Sequence, residues 1–423
     1  MMDPLLDLAP SLRVGKPKGI VSVCSSHPLV IRAAIRDGVR HDHPVLVEAT
    51  CNQVNQFGGY TGMRPADFLA MTLQIAQSEG LPADRVIFGG DHLGPNPWRA
   101  ESAEVALAKA EDMVAAYVEA GFRKIHLDAS MGCAGEPAAL DDTTIARRAA
   151  RLARRAEQAA SAAGAKPLLY VIGTEVPPPG GADHVIDAIE PTRLEAVRRT
   201  WEIHREVFED AGLAAAFSRI IAIVVQPGVE FGNENVVSYD REKAQHLAGL
   251  LRQEEGLVYE AHSTDYQTPA ALRELVEDGF AILKVGPQLT FDLRQALYGL
   301  DVIASDMLAD YGSRPLFAAM EALMVEEPRW WRSHYRGNAA QRRVQRHYSL
   351  SDRIRYYWNH PAAVAAVDRL IAALAGKIVP APLLRQHLPG FESFTGSPLD
   401  PRQLLITAVE TSLEGYRLAV GMR

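Results

Sequence analysis

Residues 124–130 read KIHLDAS. A short apolar run carries His126 and Asp128 two positions apart, so both side chains leave the same face of a strand. Residues 257–263 (LVYEAHS) repeat the arrangement with Glu260 and His262. Working outward, six more such runs appear: 19–25 (GIVSVCS), 45–50 (VLVEAT), 86–91 (VIFGGD), 168–175 (LLYVIGTE), 219–226 (RIIAIVVQ) and 281–286 (AILKVG). Runs apolar on both faces suit a parallel sheet buried on both sides. Between them lie longer stretches with helical spacing, among them 65–79, 100–120 and 141–163. Pro65 suits a first helical turn, and Gly121 and Gly164 stand where helices often end. Eight β-α units in roughly 300 residues predict an α/β chain folded as a (β/α)8 TIM barrel. A doubly wound open sheet is the alternative, and it requires no count of eight.

The chain has 423 residues, 48% of them apolar and 23% charged, within the range of ordinary globular proteins. Its net charge of −8 argues against a globally basic nucleic-acid surface. Three cysteines far apart, Cys24, Cys51 and Cys133, speak against a disulfide framework and fit a reducing compartment. No apolar stretch has the length of a membrane span, and the first residues lack a signal-peptide core. The expectation is a cytoplasmic protein with no membrane or nucleic-acid partner.

From about residue 310 the strand rhythm is lost. The reading is a barrel over 1–310 and a mainly helical region over 311–423, packed on it, with helices around 317–325, 361–375 and 401–416. Within it, residues 341–358 (QRRVQRHYSLSDRIRYYW) are dense in Arg and Tyr. They read either as a solvated helical face or as an anion clamp in which Ser351 and Arg353 reach over the barrel mouth to a phosphate.

Barrel active sites lie at the C-terminal ends of the strands. Those ends offer Glu48, Asn52 and Gln53; Asp91 and His92; His126 and Asp128; Glu175; Gln226; Glu260, His262 and Ser263; and Lys284 and Gly286. Carboxylates and imidazoles gathered at one mouth suit a divalent metal. His92, Glu175 and His262 are the expected ligands, with Asp128 as a fourth or as their support. The competing reading is a hydrogen-bonded mouth that binds a sugar without metal. Ser263, Lys284 and Gly286 fall where barrels often hold phosphate, and Lys284 is alternatively a Schiff-base lysine. Glycines in 57–62 (FGGYTG) and at 89, 90 and 94 mark places where backbone turns sharply or approaches closely.

Longer motifs carry a resemblance. Residues 52–62 (NQVNQFGGYTG), 89–96 (GGDHLGPN), 124–135 (KIHLDASMGCAG), 173–181 (GTEVPPPGG), 225–230 (VQPGVE), 259–268 (YEAHSTDYQT), 284–287 (KVGP) and 349–358 (SLSDRIRYYW) resemble the Z-subunit family of tagatose-1,6-bisphosphate aldolase, GatZ/KbaZ. The resemblance implies one of two activities. One is a 4-epimerase interconverting tagatose 6-phosphate and fructose 6-phosphate in galactitol and tagatose catabolism. The other is a non-catalytic subunit that stabilises a class II aldolase. A 4-epimerase of a non-phosphorylated ketose is a third option. The family is also similar to class II aldolases, in which an Asp-His pair supplies a proton-transfer group and a metal ligand; Asp91 and His92 match that pair.

In a 2-ketose, C4 is not adjacent to the carbonyl, so its proton is not acidic. Inversion then needs transient oxidation or carbon–carbon cleavage. No G-x-G-x-x-G nicotinamide fingerprint follows any strand. Retro-aldol cleavage, rotation and re-addition need a metal and a base on the C4 hydroxyl. The resemblance therefore implies a divalent ion, zinc first and manganese, nickel or magnesium as alternatives, on His92, Glu175 and His262. It implies proton transfer by Asp91 with Asp128 or Glu175. Lys284, Ser351 and Arg353 would hold the phosphate of a ketohexose phosphate, with Glu48, Asn52, Gln53, Gln226, Ser263 and Gly286 as further sugar contacts. Expected partners are a second copy of the chain and a class II aldolase catalytic subunit.

Overall fold

The eight runs form eight parallel strands, and the sheet closes on itself. In chain order they are β1 (Ile20–Cys24), β2 (Val45–Thr50), β3 (Val86–Leu93), β4 (Lys124–Leu127), β5 (Leu169–Gly173), β6 (Ile220–Val224), β7 (Val258–Ala261) and β8 (Ile282–Val285). The computed structural model describes residues 3–173 and 189–421. Each strand pairs with its sequence neighbour and β8 pairs with β1, which gives a (β/α)8 barrel rather than an open sheet. The expected Glu175 lies outside the described residues.

The helical stretches fall where the spacing placed them. They include Pro65–Glu79, Ala103–Ala120 and Asp142–Ala163, the last two ending at Gly121 and Gly164 in the left-handed conformation. After β6 the pattern breaks. A short hairpin, Glu230–Phe231 with Val236–Val237, precedes two four-residue helices, Arg241–Ala244 and Ala248–Leu251. The hairpin was not legible as strand, because two residues a side carry no period.

The barrel interior has two layers of opposite character. The lower layer is apolar, with Ile20, Leu46, Leu169, Val171, Val258 and Ile282 clustering with Leu5, Leu8 and Ala9. A short helix, Leu8–Arg13, thus helps seal the bottom. Period-two alternation then brings Glu48 above Leu46 and Lys284 above Ile282 on the inner face. The upper layer is therefore charged.

The C-terminal region is helical as read, with Pro315–Glu326, Ala339–Tyr348, Pro361–Leu374, Ala381–His387 and Pro401–Ala419. It divides its work. Pro401–Ala419 packs against Pro28–Arg40, Pro269–Glu277 and Pro287–Met307, so it joins the outer wall. Beyond it the Gly19 N–H donates to the Val420 carbonyl just before β1. The stretch around 330–358 passes over the mouth instead. No helix among the described residues is long and apolar enough to cross a membrane.

Candidate active site

The floor of the mouth is a buried ion-pair network. Lys124 Nζ lies 2.6 Å from Glu48 Oε1 and 2.7 Å from Glu260 Oε2, with all three side chains fully buried. Lys284 pairs with Glu48, with Asp91 Oδ1 at 2.8 Å and with Glu260 Oε1 at 3.7 Å. Gly89 makes this possible, because a Cβ there would sit 2.6 Å from Glu48 Oε1. Two sequence expectations are corrected here. Glu48 lies beneath the cavity and touches no substrate space. Burial would drive the Lys284 amine down, but Asp91, Glu48 and Glu260 outweigh it and hold the group well above the usual lysine range. Lys284 lines the cavity, but its amine is tied to three carboxylates, and an amine held in its charged form is not a Schiff-base nucleophile.

Above the floor stand three imidazoles. The rings of His92 and His126 are 4.9 Å apart, His92 and His262 4.8 Å, and His126 and His262 5.4 Å. Consecutive strand residues normally face opposite sides, yet Asp91 and His92 both reach the cavity. The register of β3 against β4 shifts between Gly90 and Leu93, and His92 has φ +48°. This irregularity turns the second side chain inward, as bulges near active sites often do.

The donor set fits a divalent ion. Asp91, His92, His126 and His262 each place one ligand atom within 4.8 Å of all the others. His126 Nε2 meets the Gly173 carbonyl at 2.9 Å, while Nδ1 accepts from the His92 N–H at 3.3 Å and faces Asp91 Oδ1 at 2.9 Å. Asp128 Oδ2 meets His92 Nδ1 at 2.8 Å, and its Oδ1 accepts from the Ser130 hydroxyl at 2.7 Å. Asp128 thus holds His92, the supporting alternative expected of it, and His126 joins the possible ligand group beside His92 and His262. His126 was the residue to find, since KIH in β4 repeats the alternation of EAH in β7.

The carboxyls of the mouth divide sharply. Burial would raise Asp91, but His92, Lys284 and His126 hold it well below the usual range. Burial likewise opposes ionisation of Asp128, and His92 prevails. His262 is driven down to about 3 by burial, so its ring is neutral and available as a ligand. Glu230 is pushed up to about 7 by burial. Sequence reading missed it because the two-residue strand it opens beyond the end of β6 carries no period.

A cavity of about 440 Å³ opens above this layer, within the usual range for small-molecule sites. Asn52, Gln53, Ser263 and Gly286 line it, as expected. Its outer wall comes from the C-terminal region through His334, Arg353, Arg355 and Tyr356. The Arg353 and Arg355 guanidinium carbons lie 5.0 and 4.6 Å from the Tyr356 ring. Tyr356 stacks on Trp330 at 5.0 Å and meets Tyr60 edge-on at 4.6 Å. Tyr60 is delivered by the glycine turn 57–62, where Gly59 has φ +55° and a Cβ would strike the Gln53 carbonyl at 2.4 Å.

Three further expectations are corrected. Ser351 faces away from the cavity, its hydroxyl donating to Asn233 Oδ1 at 2.9 Å. Gln226 accepts from the N–H groups of Gly228 and Val229 at 2.7 and 2.9 Å, so it shapes the loop after β6 rather than a sugar pocket. The phosphate slot after β8 is filled from within, because Asp265 Oδ1 accepts from the N–H groups of Gly286 and Gln288 at 3.0 and 2.8 Å. Cys24 lines the cavity with Sγ 3.4 Å from Asp91 Oδ2.

Fold and site together define a (β/α)8 barrel with a polar, imidazole-rich mouth. Residues 5–421 match the model of the D-tagatose-1,6-bisphosphate aldolase subunit GatZ/KbaZ-like family, and the chain belongs to that family. It is 59% identical over 99% of its length to the D-tagatose 6-phosphate 4-epimerase of Agrobacterium fabrum, spanning 98% of that protein. It is 47% identical to the D-tagatose-1,6-bisphosphate aldolase subunit GatZ of Klebsiella pneumoniae, spanning 97% of this chain and 98% of that one. A crystal structure described as a probable tagatose 6 phosphate kinase from Sinorhizobium meliloti superposes with a TM-score of 0.87 at 53% identity. It covers 95% of this chain and all of that one.

Proposed function

We propose that the protein is a 4-epimerase that interconverts D-tagatose 6-phosphate and D-fructose 6-phosphate by cleaving and reforming the C3–C4 bond. The observation that carries the reading is the set of three imidazoles and Asp91 set beneath a cavity with two arginines on its wall. The name of the 59% identical relative supports it. A divalent ion held by His92, His126 and His262 would polarise the C2 carbonyl and favour electron density at C3. Zinc suits that donor set. Every other part falls to the chain itself. Asp91, steadied by Lys284 and His126, exchanges the proton of the C4 hydroxyl. Asp128 fixes His92 in one orientation. Arg353 and Arg355 take the phosphate, and Arg355 replaces Ser351 and Lys284 in that role.

The test uses the purified chain alone, dialysed against chelator and incubated with tagatose 6-phosphate with and without zinc, manganese, nickel or magnesium. Formation of fructose 6-phosphate that depends on the added ion is expected. No product with any ion overturns the reading. The 47% identity to an aldolase subunit favours a second reading, in which the chain stabilises a class II aldolase. Under it, mixing would raise the aldolase's thermal stability while the isolated chain turned over neither sugar.

A further inference from the structure

Glu230 is buried, 1% exposed, and lines the cavity. Its Oε1 accepts from the Phe231 N–H at 2.9 Å. The other groups acting on it are the Ser263 hydroxyl and the Asp265 carboxyl, and no cationic side chain is among them. Asp91 and Asp128, by contrast, are each held by a histidine or lysine.

The epimerase reading, on which this inference rests, makes a stereochemical demand. With the phosphate end and the carbonyl end both held, C3 and C5 stay in place while C4 inverts. Inversion then exchanges the positions of oxygen and hydrogen on C4. The oxygen passes from one side of the C3–C4–C5 plane to the other, so one carboxylate cannot serve it in both epimers. Asp91 stands on β3 and Glu230 follows β6, three steps away around a ring of eight strands. Both line the one cavity, from different sides of that ring.

We propose that Glu230 is the second proton-transfer residue, serving the C4 oxygen on the side of the sugar away from Asp91. In one direction Asp91 takes the C4 hydroxyl proton as the C3–C4 bond breaks. The bonding pair passes to C3 and into the C2 carbonyl, and C4 becomes an aldehyde carbon. The aldehyde turns over, the C3–C4 bond reforms, and the new C4 alkoxide takes its proton from the Glu230 carboxyl. The turnover ends with the proton on Asp91 and a carboxylate at Glu230, and water in the open mouth restores the starting state. The reverse reaction exchanges the two roles. Burial without a cation keeps a protonated Glu230 populated near neutral pH, as a proton donor requires.

The test compares wild type with Glu230→Gln and Glu230→Asp. Each enzyme is given each epimer separately, and the aldehyde released by C3–C4 cleavage is trapped alongside the epimerisation assay. Expected for Glu230→Gln is a fall in kcat of roughly a hundred- to ten-thousand-fold, with substrate binding by calorimetry and metal content unchanged. Cleavage should survive from one epimer and be lost from the other, and Glu230→Asp should restore part of the lost direction. A readout independent of turnover is the infrared spectrum of the metal-free proteins at neutral pH. Wild type minus Glu230→Gln should show the carbonyl stretch of a protonated carboxylic acid. Activity of Glu230→Gln within threefold of wild type, or equal loss of cleavage from both epimers, overturns the proposal. A wild-type enzyme inactive on both sugars overturns the epimerase reading itself, and this proposal with it.

Discussion

Two sets of buried carboxyls share this barrel and take opposite charge states. On the floor, Glu260 and Asp91 lie against Lys124 and Lys284 and are held well below the ordinary carboxylate range. Above them, Glu230 and Asp265 are buried to a similar extent but form no close ion pair among the described residues; Arg355 draws Asp265 down without overcoming burial, and the two rise to about 7 and about 6. Burial opposes ionisation in every one of these groups. The nearby cation decides which side wins. A charged floor and a titrating rim are therefore built from the same residue types, and the proposed reaction draws one proton-transfer group from each, Asp91 and Glu230.

The floor breaks first. Lys124→Met would leave Glu48 and Glu260 short of a partner in a fully buried layer, and removing one member of such a network costs about 3–5 kcal/mol. Chemical denaturation should show that loss. A cost under about 1 kcal/mol would mean the floor is not the rigid half of the comparison.

The rim responds to pH with the opposite sign. Glu230 rises from 4.5 to about 7 on folding, so the folded chain binds more protons than the unfolded one between those values. Stability should be greatest below that window and fall as pH rises through it, by about 3 kcal/mol at about 1.4 kcal/mol per unit. Subtracting the Glu230→Gln curve from wild type isolates the slope, and parallel curves would place Glu230 among the ordinary carboxylates. Asp128 lies between the two classes, a rim residue with a partner. Asp128→Asn should weaken metal binding by roughly 10–100-fold, read by competition with a chelator. Ser351→Ala should cost only about 1 kcal/mol of stability and leave KM for the phosphorylated sugar unchanged. A large rise in KM would return Ser351 to the phosphate.

The same contrast explains what the sequence disclosed. All eight strands were legible because each is a short apolar run between helical stretches. Alternation placed Glu48, Glu260 and Lys284 on the inner face, but it says nothing of height along the barrel axis. Height separates a buried ion pair from a sugar contact, and Glu48 was misread for that reason, whereas Lys284 reaches the cavity. Asp91 and His92 were found as a pair, although the bulge that lets both face inward leaves no mark in composition. Of the expected clamp pair, Arg353 lines the cavity and Ser351 does not. Residues 353–357 form a 3-10 turn, and this places Arg355 and Tyr356 with Arg353 on the cavity wall while Ser351 turns to Asn233. Glu230 follows a loop of irregular backbone, where no period connects a residue to a face.

The seam between Gly19 and Val420 has a consequence for the order of events during synthesis. The first strand leaves the ribosome about 380 residues before the helix Pro401–Ala419 that flanks its neighbours. Arg36 and Arg40, on the first outer helix, reach Gln403 and Glu410 on that final one. Contacts between such distant parts of a chain slow folding. The nascent barrel must therefore wait, with one side of its outer wall uncovered, until residues 401–419 have been made, and that interval is when chaperones and aggregation compete for it.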